Sequence, residues 1–226
     1  MCKIGIIGGL SPFSTVVYYS RIVEEFNHLK GGLNYPEILV SSLNMADAKA
    51  ALNSNDDDVG LRLLVGAITD LPTADFFLIA SNTMHFYVDK LRSICPREVI
   101  DIRQVTADAV LKCGYRRVLL LGSKATMSNP CFIEYFKQRG LDVVLPHKHH
   151  FEALDHLIYE RLCRGDVDDD AQVFVNSLID KAVEASQIEA VVFACTEFSL
   201  FDQRMFKLPV FDSTELHVRA AISKVL

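Results

Sequence analysis

The sequence predicts an α/β protein made of two similar Rossmann-like domains, each with a parallel sheet, related by pseudo-twofold symmetry. Two observations carry that prediction. Short β-branched and apolar runs alternate with helical patterns along the whole chain. Such alternation implies parallel strands covered on both faces and joined by right-handed helical crossovers. The second observation is an internal repeat at a constant displacement.

In chain order the strand candidates are Ile4–Ile7, Glu37–Leu43, Phe76–Ala80, Val99–Asp101, Val118–Leu121, Val143–Leu145, Ala190–Ala194 and Val210–Asp212. They are short apolar runs bounded by polar or turn-forming residues. Helical periodicity lies between them, over Val16–Leu29, Asp57–Asp70, Val88–Ser93, Thr106–Cys113, Asn129–Gln138, Phe151–Arg164, Asp170–Ser186 and Glu215–Lys224.

The repeat aligns IGIIGGLSP, starting at Ile4, with VLLLGSKAT, starting at Val118. It also aligns FFLIASNTMH from Phe76 with AVVFACTEFS from Ala190, at the same displacement of 114 residues, which pairs Ser81 with Cys195. A third match, PREVIDIRQVTADAV against LPVFDSTELHVRAAI, falls within a few residues of that displacement. The expected division is a first domain of residues 1–103 plus a returning helix in 213–226, and a second domain of 104–212. No Pro/Gly/Ser-rich linker marks the boundary, so close packing of the halves is expected.

Composition narrows the class. Half of the 226 residues are apolar, 23% are charged and the formal net charge is -6. That balance suits a globular chain with a sizeable core and supplies no basic footprint for nucleic acid. No run approaches the roughly 20 apolar residues of a membrane span, and the start lacks the long apolar core of a secretory signal. A cytoplasmic protein with no membrane or nucleic-acid partner is therefore expected. The six cysteines contain no C-x-x-C pair, which argues against a zinc ribbon or a thioredoxin-like motif. Apart from Cys195, most of them read as small buried hydrophobes. Asp168, Asp169 and Asp170 read as a solvated loop or helix start, and His147, His149 and His150 as loop residues, so no metal is expected. Gly5, Gly8 and Gly9 form G-x-x-G-G rather than the dinucleotide fingerprint.

In open parallel sheets ligands bind at the carboxyl ends of strands. Four loops there are rich in small and polar residues: Gly8–Thr15, Ser81–His85, Gly122–Met127 and Cys195–Ser199. Pseudo-twofold packing would turn all four toward one interdomain cleft, with Ser81 and Cys195 on opposite walls. That geometry suits chemistry at both faces of one carbon.

Cys195 directly follows an apolar strand at an expected helix start, where backbone N–H groups and the helix dipole lower a thiol's pKa. A buried inert cysteine is the alternative reading. Ser81 is either a helix cap or a second acid/base. A serine is too weakly acidic to act alone, and His85 is the candidate to exchange its proton. Asn82, Thr83 and Thr196 can cap helices, hold a carboxylate beside free N–H groups, or do both. Ser11, Ser14, Thr15, Ser123 and Thr126 carry the same dual reading.

Four motifs bear a resemblance to a known family: IGIIGGLSPFST at the start, SNTMH at Ser81–His85, CTE at Cys195–Glu197 and DSTELH at Asp212–His217. Together they resemble the aspartate/glutamate racemases over essentially the whole chain. The resemblance implies a cofactor-independent racemase in which two thiols flank Cα of an acidic amino acid. One removes the proton and the other returns one on the opposite face. The positions matching those cysteines are Ser81 and Cys195. Ser11, Asn82, Thr83, Thr126, Thr196 and Glu197 would then line the substrate site, with His85 and His217 in support. A homodimer is also implied.

The bacterial L-aspartate/glutamate-specific branch carries threonine where this chain has Ser81, and Ser81 is similar to that branch. Ala48 and Cys163 stand where archaeal aspartate racemases have Arg and Lys; the L-specific branch also has cysteine at the second place. Phe13 stands where an acidic residue is often found. Two other readings remain open. A single-cysteine enzyme resembling arylmalonate decarboxylases would protonate a carbanion left by carbon dioxide loss. A catalytically impaired amino-acid binding protein is the other.

Overall fold

A computed structural model describes residues 2–54, 56 and 58–226. The chain divides into two compact units, Met1–Asp101 with His217–Leu226, and Ile102–Leu216. Each contains a parallel four-stranded sheet.

The first unit runs β1 (Ile4–Gly8), α1 (Pro12–Lys30), β2 (Ile38–Ser42), α2 (Met45–Leu52), α3 (Asp58–Thr69), β3 (Phe76–Ile79), α4 (Val88–Ile94) and β4 (Glu98–Val99), with strand order β2-β1-β3-β4. The central strands β1 and β3 are buried along their whole length. This explains why they read as continuous apolar runs rather than as alternating ones. Helix α1 turns Ser14, Tyr18, Ile22 and Phe26 inward, one residue per turn. Another part of the core joins Ile7, Phe77 and Ile79 to Leu64, Ile68, Val88 and Leu91.

The second unit runs α5 (Ile102–Lys112), β5 (Arg117–Gly122), α6 (Lys124–Ser128), α7 (Pro130–Gln138), β6 (Asp142–Val144), α8 (Phe151–Glu160), α9 (Asp169–Ser186), β7 (Ala190–Ala194) and β8 (Val210–Asp212), with order β6-β5-β7-β8. The last helix, α10 (Ser213–Val225), starts here, and its residues from His217 belong to the first unit.

A strand forms at each of the eight expected places, the fourth shifted to Glu98–Val99 so that Ile100 and Asp101 fall outside it, and the repeat survives down to strand register. Ile4 pairs with Phe76 in the first sheet, and Val118 with Ala190 in the second. Each partner is displaced by 114 residues from its counterpart. The same displacement relates two edge clamps. Asp75 accepts a hydrogen bond from the Lys3 N–H at 2.6 Å, and Glu189 accepts one from the Arg117 N–H at 2.8 Å.

Some helices differ from the expected bounds. The predicted start of the second helix, Asp57, lies outside the described residues; the helix is described from Asp58. Helix α5 begins four residues before the predicted Thr106. Two helices have no periodic signal of their own: α2, capped by Asn44, and the five-residue α6, capped by Ser123. Both owe their starts to side-chain caps, and α6 is too short to display a full helical period. The predicted helix Phe151–Arg164 breaks at Arg161 into α8 and a short 3₁₀ turn, Leu162–Arg164. Arg161 is held by Asp166 at 3.0 Å and Asp168 at 2.5 Å, while Gly165 takes the left-handed conformation that closes the turn. Asp168 then caps α9, whose first turn holds Asp169 and Asp170, as expected for a helix start.

Gly9 links β1 to the following loop with a φ of 73°. A Cβ there would lie 1.9 Å from the Leu43 carbonyl oxygen. That backbone is itself tied down, because the Leu43 N–H donates to the Gly8 carbonyl at 2.9 Å. Gly9→Ala is expected to lower the unfolding free energy by about 3 kcal/mol, combining backbone strain with a clash that cannot relax cheaply. Urea unfolding checks this; a loss below about 1 kcal/mol would show that the loop can yield.

Candidate active site

In the first unit the loops after β1 and β3 lie side by side, because those strands are paired in parallel through Ile7 and Ile79. Ser11 caps α1, its Oγ accepting from the Ser14 N–H at 3.4 Å. Thr15 reaches back across the loop, accepting from the Gly9 N–H at 2.8 Å and donating to the Ser11 carbonyl at 3.1 Å. The first loop is thus a closed cap, with Ser11 and Ser14 buried.

Ser81 follows β3. Its N–H donates to the Ile79 carbonyl at 2.8 Å, and its Oγ accepts from the Met84 N–H at 3.4 Å. The capping reading is therefore met geometrically. The chain then enters a 3₁₀ turn, Thr83–Tyr87, that runs into α4. Ser81 is partly exposed, while Asn82, Thr83 and His85 are buried. The His85 Nδ1 bonds the Ser81 carbonyl at 2.7 Å. This contact orients the Ser81 backbone; it is not a bond to the Ser81 hydroxyl.

His217 stands edge-on to His85, with ring centroids 5.5 Å apart. It is fully buried between two partners. The Tyr18 hydroxyl lies 2.8 Å from Nδ1, and the Ile100 carbonyl 3.0 Å from Nε2. A carbonyl can only accept, so Nε2 carries the proton and Nδ1 accepts from Tyr18. Burial, with the His85 charge a lesser cause, pushes the His217 pKa down from 6.5 to about 3. The ring is neutral at physiological pH.

In the second unit the close approach of β5 and β7 shapes the site. Gly122 pairs with Ala194, and a Cβ at Gly122 would meet the Ala194 carbonyl oxygen at 2.7 Å. The absence of a side chain lets the two strand ends meet, so Ser123 and Cys195 emerge next to each other. Ser123 caps α6, and its hydroxyl lies 3.1 Å from that of Thr126. Both are buried.

Cys195 continues the strand direction, with φ -144° and ψ 126°. It leads into a five-residue 3₁₀ turn, Thr196–Leu200, instead of the expected helix. The thiol donates to Glu197 Oε2 at 3.3 Å, and the Thr196 hydroxyl donates to the same oxygen at 2.8 Å. The other oxygen, Oε1, accepts from the Cys163 thiol at 3.3 Å. Cys163, Cys195, Thr196 and Glu197 are all buried.

This cluster overturns two expectations. Burial, followed by the charge of Glu197, raises the Cys195 pKa well above its ordinary value. The Glu197 backbone N–H does favour the thiolate, as expected, but burial and the Glu197 charge outweigh it, and a single 3₁₀ turn adds little dipole. Cys163 is not an inert hydrophobe, because it shares a carboxylate with Cys195. No sequence spacing signals this link, since the break at Arg161 and the following turn bring Cys163 to Glu197. Burial of the remaining cysteines is also overestimated from sequence: Cys113 is exposed, and Cys2, Cys95 and Cys131 are half-buried. All six cysteines are described, and none is joined in a disulfide. No described helix is long and apolar enough to cross a membrane.

The comparisons with known proteins agree with this architecture. The sequence profile of the Asp/Glu/Hydantoin racemase family matches residues 7–221. The chain is 21% identical over 228 residues to the broad specificity amino-acid racemase RacX of Bacillus subtilis (strain 168), spanning 99% of this chain and 98% of that protein. Its fold is similar to the crystal structure of an aspartate racemase homologue from Pyrococcus horikoshii OT3, with 33% identity, a TM-score of 0.85 and 99% of each chain covered. A Yersinia pestis protein provisionally described as an Asp/Glu racemase superposes with a TM-score of 0.87 at 28% identity, again over 99% of each chain. With the profile matched from the end of β1 to the last helix, the chain belongs to the Asp/Glu/Hydantoin racemase family.

Proposed function

We propose that the protein racemises an acidic amino acid, aspartate or glutamate, without a cofactor, using Cys195 and Ser81 as proton-transfer groups on opposite faces of the substrate Cα. The observation that carries this reading is the shared register of the two sheets. It makes Ser81 and Cys195 equivalent strand-end residues, Cys195 directly before the 3₁₀ turn Thr196–Leu200 and Ser81 two residues before the turn Thr83–Tyr87. Two equivalent positions are what a reaction at two faces of one carbon requires. The family membership supports the reaction type, and the aspartate racemase homologue supports the substrate class. The broad specificity of the Bacillus subtilis relative argues for testing other amino acids beside these two.

In this mechanism the Cys195 thiolate takes the Cα proton of one enantiomer, and the electron pair passes into the substrate carboxylate. Asn82, Thr83 and Thr196, with Ser11 and Thr126 in the neighbouring loops, supply hydroxyls and N–H groups that stabilise the growing charge. Ser81, which is partly exposed, passes a proton to the other face as it takes one from solvent water, so no alkoxide is left, and the Cys195 thiol then releases the abstracted proton to solvent; His85 and His217 hold the Ser81 loop. Glu197 pairs with the α-ammonium group of the substrate. Burial and then the Glu197 charge keep Cys195 protonated in the empty site; that pairing offsets the second of these, which favours formation of the base when substrate binds. We further propose that the enzyme works in the cytoplasm as a homodimer.

Proton NMR of L-aspartate and L-glutamate with the protein in deuterated buffer, followed by chiral chromatography, tests the assignment. The expected result is loss of the Cα signal together with appearance of the D enantiomer. Loss of the signal with retained L configuration would remove Ser81 from proton transfer. No exchange with any amino acid would discard the racemase reading, and carbon dioxide release from an arylmalonate would put the single-thiol decarboxylase in its place.

A further inference from the structure

We propose that Cys163 is a positioning residue for the proton-transfer chemistry: its thiol holds one oxygen of Glu197 so that the other oxygen governs the proton on Cys195. The inference rests on the reading of Cys195 as the working thiol, and goes beyond it by assigning a task to a second, non-equivalent cysteine.

The geometry is specific. The Cys163 and Cys195 thiols lie 3.3 Å from Oε1 and Oε2 of the same buried carboxylate, and the Thr196 hydroxyl lies 2.8 Å from Oε2. A carboxylate between donors on both oxygens loses the freedom to rotate about its last bond. Cys163 comes from the turn after α8, whereas Cys195, Thr196 and Glu197 come from the end of β7. The carboxylate is therefore anchored to a separate element of the unit. Tyr159 faces the cluster from α8, its hydroxyl pushed upward by burial and then by the charges of Asp155, Cys195, Cys163 and Glu197; the Asp155 carboxylate, which acts on Tyr159, accepts from the Lys124 N–H. These neighbours are acidic groups, so each donor to Glu197 counts toward making a thiolate tolerable here.

The expected consequence has a definite sign. When Cys195 loses its proton, the thiolate and Glu197 form a buried pair of like charges. A hydrogen bond from Cys163 stabilises that pair more than the singly charged state. While Cys163 is the protonated donor, its loss raises the Cys195 ionisation midpoint; only a charged Cys163 acts in the opposite direction. A hydroxyl at the same place preserves the donor and leaves the midpoint near its original value.

The test measures the pH dependence of iodoacetamide alkylation, followed by mass spectrometry of the peptide containing Cys195. It uses the full chain and the variants Cys163→Ala, Cys163→Val and Cys163→Ser. Alanine is smaller than cysteine and valine is slightly larger, so packing effects differ between them while the lost donor is common to both. The midpoint is expected to rise by about one pH unit in both apolar variants, with about tenfold slower alkylation at neutral pH, and to be restored in Cys163→Ser. The ascending limb of the kcat profile should move by the same amount while KM changes less than about threefold. An unchanged midpoint, or a rise in only one apolar variant, would overturn the proposal. Alkylation does not depend on turnover, so an inactive protein with shifted midpoints would sink the racemase reading and leave the positioning role standing. An active protein with unshifted midpoints would do the reverse.

Discussion

In Cys195→Ala, exchange of the substrate Cα hydrogen with deuterated solvent is expected to fall by at least about 10³-fold, within the range that one positioned acid/base contributes. The substitution removes a sulfur and leaves a methyl group at the end of β7, whose strand residues are fully buried. Glu197 keeps two of its donors, the Thr196 hydroxyl and the Cys163 thiol. The fold should therefore survive, and circular dichroism with a urea midpoint will establish that. Cys195→Ser retains a donor to Glu197 but substitutes a group far too weakly acidic to serve as base, so it should be nearly as inactive as alanine. If either variant keeps more than about a tenth of the exchange rate, Cys195 is not the base.

The second large effect concerns pH and stability through His217. Its folded pKa of about 3 lies below the value of 6.5 for the unperturbed ring. Between these values the unfolded chain binds a proton that the folded chain refuses. The stabilising contribution is thus fully present above pH 6.5 and is lost progressively as the pH falls toward 3. At about pH 5 the loss amounts to about 2 kcal/mol relative to about pH 7, an order-of-magnitude figure for one fully buried ring. His217→Gln breaks the paired contacts to Tyr18 and Ile100, so it should be less stable at neutral pH. Its urea midpoint should nevertheless fall much less steeply than the wild type's between about pH 7 and about pH 5. Equal slopes for the two proteins would show that His217 accepts a proton inside the folded chain.

The same two residues show how unevenly the sequence exposes its own structure. Cys195 was legible because a fully buried parallel strand leaves an uninterrupted apolar signature, AVVFA, and its functional loop must begin where that signature stops. His217 was legible only as the last letter of DSTELH. Nothing in that string announces a neutral ring clamped by Tyr18, which lies 199 positions away in sequence. The expectation that His85 serves the Ser81 hydroxyl followed from spacing alone, and the ring instead meets the Ser81 carbonyl. In a 3₁₀ turn the side chain four residues on does not stand over the first residue as it does in an α-helix.

The repetitive part of the molecule was determined by the sequence itself. Strand identity, the common topology of the two halves and the equivalence of Ser81 with Cys195 all follow from local apolar runs and one displacement of 114 residues. These features are short-range: a strand buried on both faces must be apolar along its length, and duplicated topology preserves the spacing of its turns. Tertiary structure alone decided the electrostatics of the candidate site. Whether a thiol is acidic or reluctant to ionise depends on which charge lies beside it, and Glu197 reaches both Cys195 and Cys163 only after α8 breaks at Arg161. Burial and Coulomb interaction act through space, and those distances are not written in the order of the residues.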